Sequence, residues 1–124
     1  MTYNRWHDKL VKDVLERIVH KHDDYQLEAE LWVGQHLLYV TDILTFDTIK
    51  PGLWWVTTYE EKTGWNKKTV ATARDQAKRY FTWLDQQTKY VGNNFVMVHR
   101  PRGSRKLTAT RWTRKDVMPK DYWS

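Results

Sequence analysis

Apolar residues near the start of the chain, Trp6, Leu10, Val11, Val14, Leu15, Ile18 and Val19, recur at the spacing that gathers them on one side of a helix. The spacing predicts an amphipathic helix from Asn4 to His20, capped by Asn4. A polar run, His20 to Tyr25, reads as a loop. Gln26 to Val33 and Gln35 to Phe46 then read as strands joined at Gly34. Lys50-Pro51-Gly52 punctuates the chain, and Leu53 to Glu60, rich in β-branched and aromatic residues, predicts a third strand. Trp54 and Trp55 must point to opposite faces of it, so both faces are expected to be covered there and the strand to be central. Beyond a polar connection, Gly64 to Lys68, the residues Val70, Ala73, Ala77, Tyr80, Phe81, Leu84 and Val91 predict a long helix from about Thr69 to Tyr90, ended by Gly92-Asn93. Asn94 to His99 reads as a strand, Arg100 to Ser104 as a turn, and Lys106 to Thr113 as a last strand. The expected fold is α/β, in the order αβββαβ. A central mixed sheet of four to six strands is flanked by two helices, with an extra C-terminal strand and a basic tail. It forms a single domain over residues 1–124, with its core in 4–99 and the basic strand and tail in 100–124.

A chain of 124 residues can bury a core without covalent staples, and this one has no cysteine. That removes thiolate zinc sites and disulfides, and fits a reducing compartment. With no apolar stretch in Met1 to Arg5 and none long enough to span a bilayer, the expected location is the cytoplasm and no membrane partner is expected. Charge changes the picture once it is located. Arg100, Arg102, Arg105, Lys106, Arg111, Arg114, Lys115 and Lys120 face only Asp116 and Asp121 after His99, so this quarter carries the whole net charge of +6. A polyanion would be drawn there, and a merely solubilising tail is the alternative. Of the eight tryptophans, Trp6, Trp32, Trp54, Trp55 and Trp83 are expected in or near the core. Trp112 and Trp123, with Tyr122, are candidate stacking contacts for bases.

Lys62 is the one lysine with an acid two residues before it, in Tyr59-Glu60-Glu61-Lys62. Composition alone would yield about one such pair, so its place matters more than its existence. Glu60 and Lys62 fall at the end of the third strand, where alternate residues project on one face roughly 6 to 7 Å apart. Asp42, inside the apolar run of the second strand, could lie beside Glu60 if the two strands pair. On these residues the chain resembles the PD-(D/E)XK nuclease superfamily, whose restriction-endonuclease-like core runs αβββαβ with an acid on the second strand and E-x-K on the third. The resemblance covers most of residues 4–99. RecB-type members add Q-x-x-x-Y on the next helix, supplied here by Gln76-Ala77-Lys78-Arg79-Tyr80.

The resemblance implies a divalent-metal-dependent DNA endonuclease or exonuclease using Mg²⁺ or Mn²⁺. Asp42, Glu60 and the backbone carbonyl of Glu61 would hold the metal. Lys62 would orient or deprotonate the attacking water and stabilise the transition state, and Gln76 would assist, while Tyr80 packs. Arg100, Arg102, Arg105, Lys106, Arg111, Trp112, Arg114 and Lys115 would contact DNA. Symmetric cutting of two strands would call for a homodimer. Compact members are common in phages and mobile elements, which would place the protein in a host cytoplasm. Three features depart from the family pattern. Glu61 stands where an apolar residue is usual, Asp47 competes with Asp42 as the second-strand acid, and the first-helix Glu16 projects away from the apolar stripe. Asp42 is preferred because an acid inside an apolar run is costly without a cation. His20, His22, Asp23 and Asp24 read as a polar loop that ends the helix, and His36 and His99 as isolated histidines. Two other functions stay open: a non-catalytic nucleic-acid-binding module, and a small phage-type inhibitor that binds a host protein.

Overall fold

The computed structural model describes residues 5–101 and 104–118. Asn4, Arg102, Lys120, Tyr122 and Trp123 lie outside the described residues. Helix α1 (Arg5–Ile18) and a short 3₁₀ turn (Val19–Lys21) lead into strands β1 (Asp24–Val33), β2 (His36–Lys50) and β3 (Leu53–Lys62). Helix α2 (Lys67–Leu84), strands β4 (Tyr90–Val91), β5 (Phe95–His99) and β6 (Thr108–Trp112), and the single-turn helix α3 (Arg114–Val117) complete the order. The sheet runs β1-β2-β3-β5-β6, with β4 also pairing with β3. β3 is central as expected; it runs antiparallel to β2 and parallel to β4 and β5. The α/β class and the mixed sheet agree with the sequence reading, with six strands and a third, short helix.

Alternation along the strands sorts the core into two layers. Leu10, Val14 and Ile18 of α1 pack with Ile43, Val96 and Val98. Ala73, Ala77, Tyr80, Phe81 and Leu84 of α2 pack with Leu31, Leu44, Val56, Phe95 and Met97. Neighbours in sequence on one strand, Ile43 and Leu44 or Val96 and Met97, belong to different layers, so the two helices cover opposite faces of the sheet. The hairpin turns are made by Gly34 and Gly52, both at positive φ (58° and 82°).

Several expectations need correction. Trp6 continues the Leu10-Val14-Ile18 stripe by one turn but is 73% exposed and lies outside the apolar layer that the other three residues share; on its turn the contact to the sheet is made by the polar His7–Asp42 pair. Trp55 is 36% exposed on the α1 side of β3, since that helix covers the Ile43 and Val98 end of the sheet and not the Trp55 end; only the α2 side is covered there. Trp32, at the tip of the β1–β2 hairpin, is 47% exposed. Helix α2 starts at Lys67 rather than Thr69, because Asn66 and Thr69 form a reciprocal capping box. It stops at Leu84, not Tyr90. Tyr90 and Val91 continue the helical count, but they pair with Trp54 and Trp55 in the sheet, where Tyr90 packs among Phe46, Trp54 and Trp83.

Candidate active site

The site lies where β2 parts from β3. Their ladder runs from the Lys50↔Leu53 turn to Ile43↔Tyr59 and ends there. On the other side of β2, the pairing with β1 holds at Leu27↔Ile43 and Ala29↔Thr41 but skips Glu28 and Asp42, and Glu28 adopts φ 47°. Tyr39 and Leu44 both face the α2 layer although five residues apart, which strict alternation would forbid. The face pattern of β2 therefore slips by one at Thr41-Asp42. Released from the ladder, Asp42 turns towards β3, and its Oδ2 accepts the Glu61 N–H at 2.9 Å. The same oxygen lies 3.1 Å from His7 Nε2 on α1.

β3 runs on beside β5, with Glu60, Glu61 and Lys62 opposite Met97, Val98 and His99. Alternation sends Glu60 and Lys62 towards α2, where Gln76 ties them together. Lys62 Nζ donates to Gln76 Oε1 at 2.7 Å, and Gln76 Nε2 donates to Glu60 Oε1 at 3.3 Å. Lys62 Nζ lies 3.8 Å from the same Glu60 oxygen. The Tyr39 hydroxyl donates to Glu60 Oε2. Glu61 points the other way, beside the α1 layer, and is 1% exposed.

Three carboxyls this close cannot all ionise cheaply in a buried place. Burial first, and then the Asp42 charge, push Glu60 up to about 8, against the Tyr39 hydroxyl and Lys62. The same two causes push Glu61 up to about 11. An ionised Glu61 finds no donor among the described residues, whereas its protonated form is itself a donor towards Asp42. Burial also pulls Asp42 upward, but its bonds to His7 and to the Glu61 N–H outweigh this and hold it below the ordinary value. His7 is correspondingly raised by its bond to Asp42. Asp42 thus carries the charge, Glu61 the proton, and Glu60 sits near the balance point.

Asp42 also lines a groove of about 320 Å³ between α1 and β1, with His7, Val11, Lys12, Leu27 and Glu28. On the opposite side Tyr39 and Gln76 line a shallow depression with Thr72 and Arg79. Asp47, the rival acid, is elsewhere: it binds His22 Nδ1 at 2.7 Å and the Asp23 N–H at 3.1 Å, and His22 Nε2 meets the Tyr59 hydroxyl at 2.9 Å. His22 is thus a clamp between the loop after α1 and the sheet. Glu16 is exposed, and Tyr80 is buried with its hydroxyl 3.4 Å from the Val56 carbonyl. His7 went unnoticed in the sequence reading. Its signal was faint: it stands three residues before Leu10, at the edge of the apolar stripe.

The basic residues divide into two kinds. Arg105, Lys106, Arg111 and Lys115 are exposed. Arg100 pairs with Asp13 at 2.7 Å. Arg114 is held by Asp85 at 2.6 Å and by Asn93 and the Gly92 carbonyl, and lies over the Phe81 ring. Trp112 stacks on Phe95 beneath Arg74. Among the described residues no helix is long and apolar enough to cross a membrane, and no three His, Cys, Asp or Glu side chains form a group able to hold a metal ion. The chain matches no protein-family model, no curated protein and no solved structure.

Proposed function

We propose that this protein is a divalent-metal-dependent nuclease that hydrolyses DNA phosphodiester bonds. Asp42, Glu60 and Lys62 form its reacting set and Gln76 positions them. The observation that carries the reading is the Glu60–Gln76–Lys62 cluster on the α2 side of β3, with the Asp42 charge near enough to raise Glu60 where β2 leaves β3. The sheet order β1-β2-β3-β5, the parallel β3–β5 pair and the helices on opposite faces agree with a restriction-endonuclease-like core.

The residues suit a cation. Burial first, and then the nearby Asp42 charge, push Glu60 up to about 8, and a positive charge beside both carboxyls would relieve that. Two carboxylates and the Glu61 carbonyl would suffice for Mg²⁺ or Mn²⁺, which keep several waters, while His7 stays bonded to Asp42 and orients its carboxylate. When bound, such an ion lowers the pKa of a coordinated water and offsets charge on the phosphate. Lys62, with one donor engaged by Gln76, has others free to orient the attacking water and to meet charge developing on the phosphoryl oxygens. Gln76 holds Glu60 and Lys62 at a fixed separation, so neither must be ordered when substrate arrives.

The test is incubation of purified protein with supercoiled plasmid and with a four-way junction, each in Mg²⁺, Mn²⁺ or EDTA. Metal-dependent nicking is expected, abolished by Asp42→Ala, Glu60→Ala or Lys62→Ala with DNA binding retained. Binding without cutting under every condition would sink the reading and leave a nucleic-acid-binding module.

A further inference from the structure

β3 and β5 end together. Lys62 is in register with His99, and His99 in turn with Thr108 at the start of β6. Three elements therefore meet at the edge of the sheet beside Lys62: the exit from β3, the exit from β5 and the entry to β6. From β3 the chain passes through Thr63 and Gly64 to Trp65, whose indole lies flat on the His99 imidazole, with centroids 4.7 Å apart and planes within 5°. Both rings are half-buried. Burial holds His99 below the ordinary imidazole value, so it backs the indole as an uncharged ring. The exposed charged residues just after Trp65 and just before β6 in the chain are basic: Lys67 and Lys68 open α2, and Arg105 and Lys106 lead into β6.

Packing alone is the plainer reading, since Trp65 touches the α2-side core. It leaves unexplained why a parallel ring pair stays part-open at the Lys62 end of β3, with exposed lysines and arginines close by in the chain. An open aromatic face with cations around it is how proteins hold unpaired nucleic acid: the charges follow the backbone while the ring takes a base. A base inside a duplex has both faces covered by its neighbours, so a ring at this position gains a partner only from a strand that is single, flapped or frayed.

We propose that Trp65, backed by His99, is a stacking platform for an unpaired base of the strand whose phosphate lies at Lys62, so that the substrate is single-stranded or splayed at the site. The position of the phosphate rests on the nuclease reading; the stacking does not.

Two variants separate the platform from packing: Trp65→Leu keeps apolar bulk without a ring, and Trp65→Phe keeps a ring. In EDTA, a short single strand carrying 2-aminopurine and a blunt-ended, GC-clamped two-strand duplex are titrated with each protein, and thermal melting verifies folding. Trp65→Leu removes the stacking of one base and should weaken single-strand binding by roughly 10-fold. It should also abolish the 2-aminopurine quench and leave duplex binding unchanged, while Trp65→Phe stays near wild type. With Mg²⁺, Trp65→Leu should raise KM on the single strand by a similar factor and leave kcat alone. Equal single-strand binding by wild type and a folded Trp65→Leu overturns the platform even if the wild type cuts DNA. Trp65-dependent binding and quenching by a wild type that never cuts sustains the platform and removes the nuclease.

Discussion

The buried Glu61 makes a thermodynamic prediction that owes nothing to catalysis. In the unfolded chain it titrates at about 4.5, and in the folded protein it is pushed up to about 11. Between those values the folded state keeps a proton that the unfolded state has lost. Stability therefore falls as pH rises through the window, by up to about 1.4 kcal/mol per pH unit from this group alone. Glu60 contributes with the same sign up to about 8. Glu61→Gln preserves shape and a donor towards Asp42 but has no proton to lose. At about pH 5 the variant should match wild type within about 1 kcal/mol, because little of the window has been crossed. At about pH 8 the ceiling on its advantage is about 5 kcal/mol, and relaxation or water entry around an ionised form lowers this to an expected 2–5 kcal/mol. Urea denaturation followed by tryptophan fluorescence, in EDTA and across this range, measures it. Parallel pH profiles for the two proteins would refute the claim that Glu61 is held protonated.

If the proposed nuclease reading holds, Gln76→Ala, which unties Lys62 from Glu60, should lower kcat about 10–100-fold, as losing an outer partner of a metal site does, while equilibrium DNA binding in EDTA is unchanged. Asp47→Ala removes the acceptor of His22 and the Asp23 N–H; it should cost about 1–2 kcal/mol in chemical denaturation and leave cleavage per folded molecule intact, in contrast to Asp42→Ala. Replacing Arg105 and Arg111 by Ala should make the salt dependence of DNA binding shallower by about 0.9 per lost phosphate contact. Arg114→Ala should instead lower the melting temperature, since its guanidinium joins Asp85, Asn93 and the Gly92 carbonyl, and should leave the salt slope alone.

Local periodicity made much of this molecule legible. The stripe of Leu10, Val14 and Ile18, at four-residue spacing, announces α1, and period-two alternation puts Glu60 and Lys62 on one face of β3. What escaped depends on partners distant in the chain. Trp54 and Trp55 look equivalent in sequence, yet one meets Tyr90 and the other solvent, because α1 covers only one end of the sheet. Tyr90 and Val91 keep the helical count after Leu84, but two residues of sheet pairing and an aromatic cluster outweigh that propensity. Asp42 and Asp47 could not be separated, because the choice turns on where β2 slips. His7 gives only a faint signal because its contact spans 35 residues. Glu61 gave no sign of being buried, since nothing local distinguishes an E-E-K that ends in solvent from one that ends beneath a helix.

The slip in β2 is where fold and chemistry meet. It carries a cost: Glu28 sits in a left-handed conformation disfavoured by about 1–2 kcal/mol, and two ladder positions are lost. A regular strand would have continued past Ile43 and offered β3 a backbone carbonyl. Here the Asp42 carboxylate takes over that acceptor role at the Glu61 N–H, so the amide is not orphaned when the ladder stops. A ladder carbonyl brings no net charge; the carboxylate brings a full one. It reaches His7 on one side and raises both Glu60 and Glu61 on the other. A single acid replacing a main-chain acceptor therefore ends the strand pairing, couples the two helix layers, and builds the negative potential that a cation would answer.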